Sequence, residues 1–197
     1  MILPSAKIEQ FVANKSDCRK SLRYVWVVKL EQDIDEFFRE GDLCWFASNG
    51  WSGYLAKVHP KDEDVDTPIA IPPAVISASR KNAEENNNSL FYSSDPTPRV
   101  YNLSGQSWLL PEDEDLLPPP FERLFQAPEC DETKSIRLGL SSGIATKFFK
   151  AMTVDKSSEG DLTLTVNQDS KGNVRSAIRV KSKLDDDSIA LLMPARL

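Results

Sequence analysis

The sequence predicts a mainly β protein with a few helices, and three observations lead to this class. The chain has 197 residues, of which 40% are hydrophobic, so it can bury a core. It contains thirteen prolines and eight glycines, which favour many short elements over long helices. Runs of β-branched and aromatic residues recur along the chain and are separated by turn-forming residues, as in antiparallel sheets.

The first predicted strands form a meander. Residues 22–30 (LRYVWVVKL) combine β-branched and aromatic side chains, and residues 31–40 are predicted to form a short helical turn. DLCWFA and GYLAKVH then form two strands that are joined by a turn at SNG or SG. The next apolar run, at 69–78, is interrupted by Pro72 and Pro73, so it is predicted to be at best an edge strand.

The second half of the chain repeats this alternation of strands and turns. Residues 89–94 (SLFYSS) read as a strand, and residues 99–110 as two short strands around a Ser-Gly turn. Three prolines lead residues 116–125 away from the sheet, and the second half of 136–152 has helical spacing. The segments DLTLTV and VRSAIRV flank a polar turn and are predicted to form a β-hairpin.

Composition narrows the classes of function. No run approaches the roughly 20 apolar residues of a membrane span, and the start of the chain lacks the features of a signal peptide, so we expect a soluble intracellular protein. Three widely spaced cysteines (Cys18, Cys44 and Cys130) do not suggest a disulfide framework or a zinc site. With a single histidine, His59, the chain is poorly equipped for metal binding or base catalysis. We therefore predict no cofactor, no metal and no enzymatic activity.

The charge is unevenly distributed. The net charge is −6, which does not favour nucleic-acid binding by the chain as a whole. Acidic residues gather in three short runs that are typical of solvated loops. One stretch, 171–183, carries five cations and no acid, and it is either a solvated hairpin or a weak, non-specific contact for nucleic-acid phosphates. These cations are Lys171, Arg175, Arg179, Lys181 and Lys183.

The stretch GDLCWFASNGWSGYLAKV, residues 41–58, resembles the opening of the PWWP domain, a member of the Royal superfamily. SGYL stands where the PWWP motif itself would be, so both prolines of that motif are missing. SLFYSS and SWLLPEDEDLLPP resemble two later segments of the family, which extends the resemblance to residue 125; Tudor and BAH domains share a similar first strand. The matching positions in the opening are Gly41, Asp42, Leu43, Trp45, Gly50, Ala56 and Val58.

This resemblance implies a small five-stranded barrel of the Royal type. The barrel would occupy residues 22–125, with an insertion near 59–88. Residues 1–21 would be an N-terminal extension, and residues 126–197 a C-terminal region of one helix and a β-hairpin.

The resemblance also implies a function. In the PWWP family, aromatic rings at the mouth of the barrel form a cage around a methylated lysine of a histone tail, and the matching positions are Trp51, Tyr54 and Phe91. The expected protein is a nuclear chromatin reader whose partner is a histone tail or another chromatin protein, with weak DNA binding at most and its oligomeric state open. The alternative is a scaffold subunit of a nuclear complex, in which these aromatics belong to the core and the cage is degenerate.

Two resemblances to enzymes are weaker. Residues 139–143 (GLSSG) match the G-x-S-x-G pattern of hydrolases, but no histidine follows Ser141, so a turn or a helix start is the favoured interpretation. Residues 73–77 resemble a segment of small barrel-type ribonuclease toxins, which leaves a ribonuclease as a distant alternative. The residues that those toxins use for RNA cleavage are not visible in this sequence.

Overall fold

The structure of the chain is a computed structural model that describes residues 1–4, 6–58, 68–82, 89–111, 115–125, 142–152, 162–166, 177–182 and 185–193. Within these residues the chain forms ten β-strands, three α-helices and two short 3-10 helices. The prediction of a mainly β protein with a few helices is confirmed.

The strands form two antiparallel sheets. The large sheet has seven strands in the order β4-β1-β2-β3-β10-β9-β8, and the small sheet has the order β5-β6-β7. The strands are β1 Val25–Lys29, β2 Leu43–Ser48, β3 Ser52–Lys57, β4 Ile69–Ile71, β5 Leu90–Ser93, β6 Arg99–Asn102, β7 Ser107–Leu109, β8 Leu162–Thr165, β9 Ile178–Ser182 and β10 Asp185–Leu192. The helices are α1 Pro73–Asn82, α2 Glu122–Phe125 and α3 Ser142–Met152, with 3-10 helices at Ile8–Gln10 and Lys20–Arg23.

The turn between β2 and β3 is set by its own residues. Gly50 has a φ of 84°, a left-handed conformation that glycine adopts without strain. The side-chain Oδ1 of Asn49 accepts hydrogen bonds from the backbone N–H groups of Trp51 and Ser52, each at 2.8 Å. Because asparagine and glycine are strong turn formers, the predicted hairpin of β2 and β3 could be found from sequence, and it is confirmed.

Two local predictions need correction. The run at 69–78 contains the predicted edge strand as β4, but α1 begins at Pro73, because proline is well suited to the first turn of a helix. Residues 31–40 form bends rather than a helical turn. In these bends, Oδ1 of Asp35 accepts hydrogen bonds from the backbone N–H groups of Phe37 and Phe38.

The large sheet is buried on both faces. In β1, Val25 and Val27 point to one apolar cluster, whereas Trp26 and Val28 point to the other. The first face is covered by α1, α3, the first 3-10 helix and the small sheet. The second face is covered by residues 30–38 and by the segment 116–125. An amphipathic alternation of polar and apolar residues is therefore absent from the central strands, which read as continuous apolar runs.

The large sheet contains strands from the first and from the last third of the sequence. β3 pairs with β10, with Leu55 opposite Ile189 and Tyr54 opposite Ala190. β10 then pairs with β9, and β9 with β8, which confirms the predicted hairpin of DLTLTV and VRSAIRV. Strands on both sides of the predicted domain boundary at residue 125 thus lie in one sheet.

The prediction of a closed five-stranded barrel is wrong. The large sheet is open, since β4 and β8 form its two edges and do not pair with each other. Closure into a barrel requires the first and last strands to meet. Here β3 pairs with β10, and the sheet continues through β9 to β8 without returning to β4.

The segment 116–125 closes the second face of the sheet with aromatic rings. The ring of Phe121 stacks on Phe46 with centroids 4.2 Å apart, and Phe125 meets Phe46 edge to face at 6.2 Å. Phe125 also lies against Gly53 of β3, where an added Cβ would come within 3.3 Å of the Phe125 ring. Glycine at position 53 therefore makes room for this ring.

We predict that Phe125→Ala lowers the free energy of unfolding by about 3–5 kcal/mol, because it leaves a cavity over β2 and β3. The measurement is urea denaturation followed by tryptophan fluorescence. Leu117→Ala is the matched control, since Leu117 lies in the same segment with an exposed side chain, and it should change stability by less than about 0.5 kcal/mol. Equal effects of the two changes would show that the segment does not depend on Phe125 for its attachment.

Candidate functional site

Tyr54, one of the three predicted cage residues, lies in the core. Its ring is fully buried and stacks on Phe11 with centroids 5.3 Å apart. The strand explains this placement, because Tyr54 and Ala56 of β3 point to the same face of the sheet as the helices. A ring without an exposed face cannot be approached by a peptide side chain.

The other two predicted cage residues are exposed to different extents in different parts of the fold. Trp51 lies in the turn before β3, and 61% of the residue is exposed. Phe91 lies in the small sheet and stacks on Tyr101 with centroids 5.3 Å apart. The three rings thus occupy a turn, a core and a separate sheet.

Arg179, one of the five predicted phosphate-binding cations, is buried. Its Nη2 lies 2.7 Å from Oδ2 of Asp35, and only 8% of its side chain is exposed. The ion pair links β9 to the bends at 31–40. Lys171, Arg175 and Lys183 lie outside the described residues, and of Lys181 the structure describes the backbone, in β9. For these four cations the contact with phosphates stays a prediction.

A different set of cations lies on the helices. Helices α1 and α3 pack on the same face of the large sheet, and both contact the 3-10 helix at Ile8–Gln10. Neither helix contains an aspartate or glutamate, although the chain has 30 acidic residues. In α3, Phe148 is buried against Phe11, whereas Lys147 and Lys150 are exposed. These two lysines are three residues apart, so they are neighbours on one surface of the helix.

Arginine 80 is the cation of α1 that the structure describes in full, and it is engaged within the protein. Its Nη2 donates hydrogen bonds to the carbonyl oxygens of Pro4 and Ala6, and its Nε lies 3.3 Å from a carboxylate oxygen of Glu9. Arg80 therefore holds the first residues of the chain against α1. Among the side chains of these two helices that the structure describes, the exposed cations are Lys147 and Lys150 of α3. A sequence signal was available, since segment 142–152 has two lysines, an amphipathic pattern and no acid.

The exposed Trp51 has an apolar neighbour at the end of β10. The backbone N–H of Met193 donates to the carbonyl oxygen of Trp51 at 2.8 Å, and Met193 is 38% exposed. The turn that carries Trp51 also packs against Arg19. The guanidinium of Arg19 lies so close to Gly50 that a Cβ added at this glycine would be 2.6 Å from Nη1. Arg19 in turn donates to Asp17, and this hydrogen bond lowers the pKa of the Asp17 carboxyl to about 2.

The described residues contain no group of three or more His, Cys, Asp or Glu side chains that could hold a metal ion. In the same part of the chain, no helix is long and apolar enough to cross a membrane. Cys18 is exposed, and Cys44 is buried with the pKa of its thiol raised by desolvation. Gly139 to Ser141 of the G-x-S-x-G match lie outside the described residues.

Comparison with known proteins identifies the fold. No protein-family model matches the sequence, and no curated protein does either. Solved structures do match. The DNA polymerase sliding clamp from Pseudomonas aeruginosa has a TM-score of 0.62 at 13% identity and is matched over 100% of this chain and 66% of its own. DNA polymerase III subunit beta from Borrelia burgdorferi has a TM-score of 0.61 at 11% identity, over 98% of this chain and 62% of its own.

A third match is the sliding clamp from Bartonella birtlesii, bound to griselimycin, with a TM-score of 0.54 at 12% identity, over 97% of this chain and 62% of its own. The chain thus spans less than two thirds of the length of each of these clamps. At such identities the likeness shows a shared fold, and the fold is that of bacterial sliding clamps.

The chromatin predictions are wrong in the light of these comparisons. Neither a PWWP or other Royal domain nor a methyl-lysine reader fits a chain whose neighbours are bacterial polymerase clamps. The histone-tail partner, the nuclear localisation, the nuclear scaffold and the ribonuclease alternatives lose their support with the barrel. In this chain, residues 41–58 contain the hairpin of β2 and β3, with Gly50 in its turn.

We predict that Arg179→Ala lowers the free energy of unfolding by about 3–5 kcal/mol, because it removes the cation that faces the mostly buried Asp35 carboxylate. The measurement is urea denaturation of the two single variants and of Asp35→Ala/Arg179→Ala. In the double variant the loss should be clearly smaller than the sum of the two single losses, which is the signature of direct coupling. Additive losses would show that the pair contributes no coupling energy.

Proposed function

We propose that this protein is a clamp-like accessory factor that binds duplex DNA without sequence preference and keeps a DNA polymerase attached to it. The observation that carries the proposal is the fold, which follows that of bacterial polymerase sliding clamps over nearly the whole chain. The earlier prediction that the chain is not an enzyme agrees with this fold. Because the chain spans less than two thirds of those clamps, their full activity is a proposal for this protein.

The charge on the helices supports DNA as the ligand. A protein with a net charge of −6 is repelled by phosphates unless one surface reverses the sign locally. Helix α3 offers such a surface, since Lys147 and Lys150 are exposed and no acid is present in α1 or α3. Lysine contacts with phosphates carry no sequence information, so they permit a protein to move along the duplex.

The exposed pair of Trp51 and Met193 supports a protein partner such as a polymerase. Tryptophan is enriched among residues that dominate binding energy, and methionine adapts to varied partner surfaces. The turn is held by Asn49 and by Arg19, so little conformational entropy is lost when a partner docks. This surface lies beside the paired strands β3 and β10, where Met193 follows β10 and Trp51 precedes β3.

We predict that Lys147→Glu/Lys150→Glu weakens binding to duplex DNA of mixed sequence. Each phosphate contact contributes about 0.9 to the slope of log K against log salt, so the slope should fall by about two units. Fluorescence anisotropy between 50 and 200 mM salt, about the range over which such slopes are resolved, measures it. The matched control is Lys15→Glu/Lys29→Glu, which changes the net charge equally at two exposed lysines outside the helices.

The same protein allows a test of sliding itself. A protein that slides leaves open duplex ends, so blocking both ends with streptavidin should lengthen the residence time of the wild-type protein. If end blocking has no effect and the two double variants bind DNA equally, then α3 is not a DNA surface and the clamp function is contradicted.

We propose that griselimycin, the ligand carried by the Bartonella clamp, also binds this chain at the surface of Trp51 and Met193, and we predict that Trp51→Ala weakens this binding. Loss of a central tryptophan contact should cost about 2 kcal/mol, or about thirtyfold in Kd. Isothermal titration calorimetry measures the change, with Met193→Ala expected to show a smaller loss in the same direction. Tyr101→Ala, an exposed aromatic of the small sheet, is the control and should bind like wild type. Unchanged binding by Trp51→Ala would exclude this surface.

A further inference from the structure

Asn49 and Gly50 form the one Asn-Gly pair of the sequence, and they lie in the turn between β2 and β3, where Gly50 is exposed. An asparagine before a glycine is open to an intramolecular reaction, in which the backbone nitrogen of the glycine attacks the side-chain carbonyl carbon, Cγ. Glycine has no Cβ that would obstruct this approach. The groups around the pair in the folded protein decide whether the reaction is favoured or suppressed.

The side-chain oxygen of Asn49 lies among three hydrogen-bond donors. Its Oδ1 accepts the backbone N–H groups of Trp51 and Ser52, each at 2.8 Å, and the Oγ hydroxyl of Ser52 at 3.3 Å. These bonds fold the side chain over the following peptide, whose nitrogen is held by a hydrogen bond to the Oγ of Ser48 at 3.1 Å. When a nucleophile attacks Cγ, negative charge develops on Oδ1, and donors that are already in place stabilise it. The turn therefore favours attack at Cγ in the way that an oxyanion hole does.

A positive charge lies next to the attacking residue. The guanidinium of Arg19 is so close to Gly50 that it leaves no room for a Cβ there. Arg19 pairs with Asp17 at 2.8 Å, and Arg23 donates to the backbone carbonyl oxygen of Asp17. Two arginines thus lie beside one aspartate, so this group keeps a positive charge. Arginine stays protonated in proteins, and its charge favours loss of the proton from the Gly50 N–H, which attack on Cγ requires.

We propose that Asn49 is a site of spontaneous deamidation in the folded protein, with the turn supplying the activating groups. The Gly50 N–H loses its proton to hydroxide, the nitrogen bonds to Cγ of Asn49, and the side-chain NH2 takes a proton from water and leaves as ammonia. Water then opens the resulting succinimide ring. Breaking the N–Cγ bond yields aspartate, and breaking the bond from the nitrogen to the backbone carbonyl carbon yields isoaspartate. The reaction needs water alone, and the proposal does not rest on the proposed function.

The two products differ in their effect on the turn. Aspartate at position 49 keeps an oxygen on the same Cγ, so it can accept the two backbone N–H groups that hold the turn. Isoaspartate routes the backbone through Cβ and Cγ, which adds one carbon atom to the turn and converts the side-chain acceptor into a backbone carbonyl. The carbonyl oxygen of Trp51 accepts the N–H of Met193. We expect isoaspartate to release this hydrogen bond and to shift the Trp51 ring, so that deamidation alters the surface formed by these two residues.

The test is incubation of the full chain at mildly alkaline pH, followed by peptide mapping with mass spectrometry. Protein isoaspartyl methyltransferase detects the isoaspartate product. Asn49 should deamidate at least about tenfold faster than Asn102. Asn102 is the internal control, since its Oδ1 also accepts hydrogen bonds in a turn, from Ser104 and Gln106, but the residue that follows it is Leu103.

Two further measurements separate an activated turn from an ordinary Asn-Gly pair. Arg19→Gln should slow the reaction at Asn49 by about tenfold, because it removes the cation beside Gly50. Arg39→Gln is the matched control and should not, since Arg39 is exposed and lies at the opposite end of β2. In urea, where the donors no longer surround Oδ1, the reaction should be no faster than in the native protein, and far-ultraviolet circular dichroism checks that each variant is folded. An Asn49 that stays intact, a rate that rises on unfolding, or equal rates in the two arginine variants would each overturn the proposal.

Discussion

The pairing of β3 with β10 is the contact on which the rest of the structure depends. It joins strands that are separated by most of the chain, and it places β9 and β8 in the same sheet as the N-terminal meander. Loop-closure entropy opposes such a contact, so the burial of apolar side chains must offset it. This burial occurs on both faces of the sheet. Leu55 and Ile189 belong to one apolar cluster, and Tyr54 and Ala190 belong to the other.

Much of the local structure could be predicted because it is encoded locally. The hairpins of β2–β3, β6–β7 and β8–β9 each combine apolar strand residues with turn-forming residues in between. β10 could not be found in this way, because it begins with three aspartates that read as a solvated loop. The sequence does not predict α1 because Pro73 interrupts an apolar run, and proline both breaks strands and begins helices. The overall architecture depends on which strands meet across long distances, and no local pattern carries that information.

The predicted site illustrates how a short motif misleads. Trp51, Tyr54 and Phe91 share places in a family pattern, yet Tyr54 lies in the core because β3 is a central strand that is covered on both faces. Arg179 was counted with four other cations, although a partner distant in sequence, Asp35, neutralises and buries it. Lys147 and Lys150 gave a weaker signal in the sequence, since two lysines carry little weight until the fold shows which helix faces are exposed. Whether a charge is available depends on tertiary contacts, and composition cannot report them.

The prolines beside β4 limit how far the large sheet can grow. A sheet that could accept a strand at both edges would add copies without end, as in a fibre, whereas a sheet that is blocked at one edge can extend only in the other direction. Pro68 and Pro72, which flank β4, thus prevent a further strand from extending the sheet past either end of this edge.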